Sequence, residues 1–143
     1  MTENQLPEYN ERVVIKVLMK DGTTTYRVET RDRPQWQKEY RTLVYDPNDF
    51  MLDKRHEAKI IAWARVPADD SDKWMSPVRE RPAISERVLC LVLSKVCLLY
   101  PSVRYRTCEG GDGNDFGITS FDERIVKWTP LEALQFIDIT TTD

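Results

Sequence analysis

Leu6-Pro7-Glu8-Tyr9-Asn10-Glu11-Arg12-Val13-Val14, near the start of the chain, is answered in its second half by Arg81-Pro82-Ala83-Ile84-Ser85-Glu86-Arg87-Val88-Leu89. In both stretches a proline precedes Glu-Arg by the same spacing, and an apolar run follows. The runs are Val13 to Met19 and Val88 to Leu93. A second pair of phrases closes each half in the same order. Lys59-Ile60-Ile61-Ala62-Trp63-Ala64-Arg65-Val66-Pro67 is answered by Glu123-Arg124-Ile125-Val126-Lys127-Trp128-Thr129-Pro130-Leu131. Two matched ends in one order imply an internal repeat. The reading is two tandem β modules, residues 1–67 and 74–143, joined by a polar linker over 68–73.

Turn chemistry divides each module into short strands. Asp21-Gly22 between apolar and β-branched runs is a hairpin signal, with Thr24 to Glu29 as the return strand. Pro34 to Val44 is ambiguous, because Trp36, Tyr40 and Val44 have helical spacing while Tyr40, Thr42 and Val44 alternate. Asp46-Pro47-Asn48-Asp49 reads as a turn and Ala58 to Ala64 as the closing strand. In the second module Ser94-Lys95 breaks Val88 to Tyr100 into a hairpin, which Pro101 ends. Val103 to Thr107, Phe116 to Phe121 and Ile125 to Trp128 read as further strands, with a loop over Glu109 to Asp115. Thr129-Pro130-Leu131-Glu132 has the form of a helix N-terminus, so a short C-terminal helix to about Phe136 is expected. The connections are too short for βαβ crossovers, which predicts a mainly β fold (α+β with little helix) of antiparallel meanders. Each module is small for independent stability, which leaves open whether the two share one sheet or core.

Composition bounds the function. The chain has 143 residues, 41% hydrophobic and 31% charged, enough apolar side chain for a core. A net charge of −3 argues against non-specific nucleic-acid binding. No apolar run approaches the roughly 18 residues of a membrane span. The opening Met1 to Asn10 is polar and acidic, unlike a signal or transit peptide. Cys90, Cys97 and Cys108 are an odd number, read as reduced thiols in a cytoplasm.

Trp74-Met75-Ser76-Pro77-Val78-Arg79-Glu80-Arg81-Pro82, the Glu86-Arg87-Val88-Leu89 run and the closing Val126-Lys127-Trp128-Thr129-Pro130-Leu131 together resemble the small family catalogued as domain of unknown function 551. The resemblance covers most of Trp74 to Leu131 and extends through Asn4 to Pro7 and Ala62-Trp63 to the first module. The first module lacks the opening Trp, and Arg81 stands where the family has Leu. The resemblance implies an accessory protein of a phage or prophage, working in the host cytoplasm, and it implies no catalytic residues.

Gly110 to Asp115 fits half of a calcium-binding β-roll repeat, but one copy supplies half a site and reads as a glycine-rich connection. No Lys-Ser or Lys-Thr follows it, so it is not a phosphate-binding loop. His56 is the lone histidine, and the cysteines have no zinc spacing. A thiol paired with His56, or a carboxylate pair among Asp112, Asp115, Asp122 and Glu123, is weakly motivated, so neither an enzyme nor a cofactor is expected. Trp63 and Trp128 read as core anchors.

The span from Arg12 to Trp63 is about ten residues longer than that from Arg87 to Trp128. The extra length falls where Trp36 and Tyr40 lie among Arg31, Arg33, Lys38 and Arg41. Extra loop length on a rigid scaffold is where binding residues tend to sit. Arg31, Arg33, Trp36 and Tyr40 are therefore expected to face a partner, with Arg104 and Arg106 in a shorter basic-aromatic strand as the secondary candidate. The partner expected is a host protein, with an anti-defence role as one form of the reading. The alternative is sequestration of a small anionic metabolite or nucleotide signal.

Overall fold

Each Pro-x-x-x-Glu-Arg phrase folds into a turn whose letters have separate jobs. In the computed structural model, which describes residues 6–32, 39–40, 42–77, 79–105 and 123–139, the Glu11 carboxylate accepts the Glu8 amide at 3.0 Å and the Glu86 carboxylate accepts the Ala83 amide at 3.0 Å. Asn10 and Ser85, one residue earlier, have φ of 70° and 71°. This left-handed conformation reverses the chain before the strand. Arg then opens β1 (Arg12–Met19) in one half and β7 (Arg87–Leu93) in the other.

The remaining elements, in chain order, are β2 (Thr24–Thr30), β3 (Glu39–Tyr40), β4 (Leu43–Tyr45), β5 (Met51–Asp53), β6 (Glu57–Arg65), β8 (Leu99–Tyr105), β9 (Arg124–Pro130) and β10 (Ile137–Asp138). The described chain is mainly β, in antiparallel sheets ordered β10-β6-β1-β2, β3-β4-β5 and β8-β7-β9. The Pro34 to Val44 ambiguity resolves, where described, toward strand: Tyr40 pairs with Leu43. Helical structure among the described residues is a 3-10 turn at Leu131–Ala133, and no described helix is long and apolar enough to cross a membrane.

The chain divides into two compact units, Met1–Val66 with Gln135–Asp143, and Pro67–Leu134. Two expectations are corrected by this division. Residues 68–73 do not form a separate linker, because Trp74 Nε1 donates to the Ala68 carbonyl at 2.8 Å and Lys127 Nζ to the Asp69 carbonyl at 2.9 Å. The end of the chain belongs to the first unit, where Ile137 pairs with Trp63. The expected C-terminal helix shrinks to one turn. Thr129 does not cap it, since that residue lies inside β9, opposite Leu89, and its buried hydroxyl finds no hydrogen-bond partner among the described residues. Pro130, at the cap position, is extended and has no side-chain cap bond.

The two principal sheets agree residue by residue. Ile15 faces Trp63 as Cys90 faces Trp128. Between Lys16 and Val17 the register skips Ile61, and between Leu91 and Val92 it skips Val126, so each closing strand carries a β-bulge at the same place. Val13, Ile15, Val17, Ile60 and Trp63 form the heart of one core, and Val88, Cys90, Val92, Ile125 and Trp128 the other. Phe50, Leu52 and Ile139 enlarge the first core, while Met75 and Tyr100 pack on the second.

The hairpins agree as well. Met19 N donates to Thr23 O at 2.7 Å and Ser94 N to Leu98 O at 2.9 Å, closing three-residue loops. The left-handed position falls on Gly22 (φ 92°) and on Cys97 (φ 62°). Asp21 is not left-handed; its carboxylate accepts the Thr23 amide at 3.0 Å. A side chain in this conformation costs about 1 kcal/mol relative to glycine. Cys97→Gly is therefore expected to stabilise the protein by up to about 0.5 kcal/mol, allowing for the greater freedom of glycine in the unfolded chain. A shift of the urea midpoint reads this out, and a lower midpoint would mean that the cysteine side chain supplies compensating contacts.

Pro101 does not end a strand. It sits in the middle of β8, opposite Leu91. Counting from the hydrogen-bonded Ser94–Leu98 pair, the alternation of an antiparallel ladder makes Leu91–Pro101 a non-hydrogen-bonded pair. The ring nitrogen thus faces away from β7, where no ladder donor is needed.

Candidate functional site

Arg31 is the expected contact residue that the structure describes most fully, and it is spoken for. Its side chain is 14% exposed. Its guanidinium donates to the carbonyls of Pro7 at 2.7 Å and Asn48 at 3.2 Å, and to the Tyr9 hydroxyl at 3.3 Å. It lies 4.0 Å from the Tyr9 ring centroid and pairs with Asp49 at 3.5 Å. Tyr9 in turn donates to Asp49. Arg31 therefore ties the strand entry at residues 7–10 to the turn at 46–49, and the expectation that it presents an exposed contact is corrected. Burial of the carbonyls around it explains why a basic residue points inward here.

Tyr40 is placed by its backbone in β3; its side chain, together with Arg33, Trp36 and Arg106, lies outside the described residues. Arg104 is half-buried in β8. It donates to the Ser102 hydroxyl at 2.9 Å and the Tyr100 hydroxyl at 3.3 Å, and Tyr100 donates to the Glu123 carboxylate. Burial and the Glu123 carboxylate both push the Tyr100 hydroxyl above its ordinary pKa, so it stays protonated as the donor. Arg31 belongs to the first unit and Arg104 to the second.

A cavity of ≈ 260 Å³ in the first unit is lined by Arg27, Glu29, Leu43, Met51, Asp53 and Glu57. Arg27 crosses it, donating to Glu29 at 2.7 Å, to the Met51 carbonyl at 2.6 Å and to Glu57. Burial disfavours the charge on Arg27, but the Glu57 and Glu29 carboxylates outweigh it and hold the guanidinium above its usual pKa. Glu57 also accepts the Asp53 amide at 2.8 Å. Hydrogen bonds from Arg55 hold the Asp53 carboxyl down at about 2. Three carboxylates around an arginine already in ion pairs repel an anion, so this cavity does not favour the anionic-ligand reading.

Cys90 is fully buried in β7, and burial pushes its thiol up to about 12. It is a core residue rather than a nucleophile. Among the described residues no three His, Cys, Asp or Glu side chains converge as a metal site.

The feature the sequence reading missed is the β7–β8 hairpin tip. Val96 and Leu98 are each 64% exposed and Leu99 44%, with Cys97 exposed between them. The matching tip of the first sheet carries Asp21, Gly22, Thr23 and Thr24, all polar or small. The signal was present in the aligned phrases Lys20-Asp21-Gly22-Thr23-Thr24 and Lys95-Val96-Cys97-Leu98-Leu99. It was hidden because an apolar run after Ser94-Lys95 reads as more strand. No protein-family model matches the chain, nor does any curated protein or solved structure.

Proposed function

We propose that the protein is a non-catalytic binding protein, built by tandem duplication of one β module, whose second module contacts a protein partner through the hairpin tip Val96, Leu98 and Leu99. The matched registers, bulges and left-handed turn positions support the duplication. The exposed apolar tip is the observation that carries the function. Two hairpins of one geometry differ in that one is polar and the other presents a contiguous apolar run to solvent, in a turn that gives up glycine at its left-handed position. Exposed apolar clusters on an otherwise polar surface mark interaction sites, and an apolar anchor in a partner pocket carries much of an interface's energy. The resemblance to the phage and prophage family supports a host protein as the partner, in the host cytoplasm, with interference in a defence system as the form such binding would take. Arg33, Trp36, Tyr40 and Arg106 belong to this proposal as further contacts.

The test is Val96→Asp combined with Leu98→Asp. Both side chains are mostly in water, so the melting temperature is expected to stay within a few degrees of the parent. A partner recovered by the parent from host lysate should bind the variant at least about 30-fold more weakly, the effect of losing one hot-spot anchor. Unchanged affinity for that partner would remove the hairpin tip from the proposal.

A further inference from the structure

The closing strand of each module has a neighbour on its outer side, and the two neighbours come from different places in the chain. In the second unit the neighbour is Met75, which exchanges backbone hydrogen bonds with Trp128 at 2.7 and 3.0 Å, antiparallel to β9. This segment lies ahead of its own module in sequence. In the first unit the place beside Trp63 is filled by β10, antiparallel to β6, with Ile137 opposite Trp63 and Asp138 opposite Ala62. Trp63 and Trp128 hold the same register against β1 and β7. Ile137 therefore stands where Met75 stands. In the first unit the segment that fills this place follows the second unit in sequence rather than preceding its own module.

The contacts are those of a strand that completes a fold. Ile139 is buried and belongs to the first core, with Ile137 packed against it from the edge, while Asp138 between them faces outward. The Ile139 amide donates at 2.9 Å to the carbonyl of Ile61, the residue the bulge leaves out of register with β1. The Phe136 ring lies 5.6 Å from that of Tyr26. Backbone pairing with alternate side chains seated in the core is how a sheet edge recognises an added strand.

We infer that the outer edge of β6 is a strand-accepting slot whose occupant is this chain's own segment Gln135–Ile139, and that the first module is incomplete until that segment docks. The slot takes an extended peptide with large aliphatic side chains two residues apart. The inference rests on the observed registers and stands whether or not the hairpin tip binds a partner.

The experiment is amide hydrogen exchange on the full chain. Ile139→Asp is expected to speed exchange in β1, β2 and β6 by about tenfold or more while β7, β8 and β9 keep their protection. Met75→Asp should show the converse. Ile139→Val, a milder change, should give the same pattern with a smaller amplitude if the aspartate variant does not fold. A chain ending at Leu134 should regain protection in β6 on addition of a synthetic peptide of residues 135–143. Unchanged exchange in β6, or equal acceleration in both modules, would overturn the inference, as would a chain ending at Leu134 whose β6 is as protected as the parent's.

Discussion

Trp63→Ala is expected to lower stability by about 3–5 kcal/mol, the range for emptying a buried large aromatic. Trp63 is 1% exposed and sits in β6, which has strands on both sides. It belongs to one buried cluster with Val13, Ile15, Val17, Phe50, Leu52 and Ile60. Val13, Ile15 and Val17 have little freedom to move into the void, because β1 is pinned by ladders to both β2 and β6. Trp128→Ala should behave alike in the second unit and also lose the bond from its indole nitrogen to the Glu80 carbonyl at 2.8 Å. Equilibrium denaturation checks both. A loss below about 1 kcal/mol at either site would mean that the tryptophan is not the anchor of its core.

Glu57→Ala should be the next most damaging single change, at about 2–4 kcal/mol. One carboxylate oxygen accepts the Asp53 amide at 2.8 Å and the other accepts Arg27. Its side chain is 10% exposed. Removing it leaves an amide unpaired at the β5–β6 turn and a half-buried guanidinium with Glu29 as its remaining carboxylate. Arg27 keeps some access to water, which softens the loss. The double variant Arg27→Met with Glu57→Leu should recover part of it, since an apolar pair leaves no buried charge behind. If the double variant is as unstable as Glu57→Ala, the bond to the Asp53 amide, rather than the ion pair, is the larger contribution.

The strands were legible because their causes are local. Val13 to Met19 and Val88 to Leu93 carry their own apolar and β-branched signal, and the Pro-x-x-x-Glu-Arg phrase encodes a turn closed by a carboxylate three residues away. The failures share a cause at longer range. Thr129-Pro130-Leu131-Glu132 has the letters of a helix start, but Thr129 is claimed by pairing with Leu89 forty residues earlier. Pro101 reads as a terminator until the strand is known to lie at an edge, with its nitrogen turned outward. Arg31 looks like a surface cation until Pro7, Tyr9 and Asn48 are brought around it. Local sequence marks a residue as charged or as a strand former, but only the tertiary partner decides whether it faces water.

Pro101 has a consequence beyond its own strand. The outward row of β8 runs through Leu99, Pro101, Val103 and Tyr105, and the proline leaves a missing donor near its centre. An incoming chain laid along this edge would have one carbonyl with nothing to receive, flanked by a ring it cannot approach. Fibril growth needs an uninterrupted row of donors and acceptors, repeated from chain to chain. With apolar side chains exposed at the neighbouring tip, this edge would otherwise invite stacking of one molecule on the next. The same residue that the ladder to β7 merely tolerates therefore interrupts this edge as a template for a further strand.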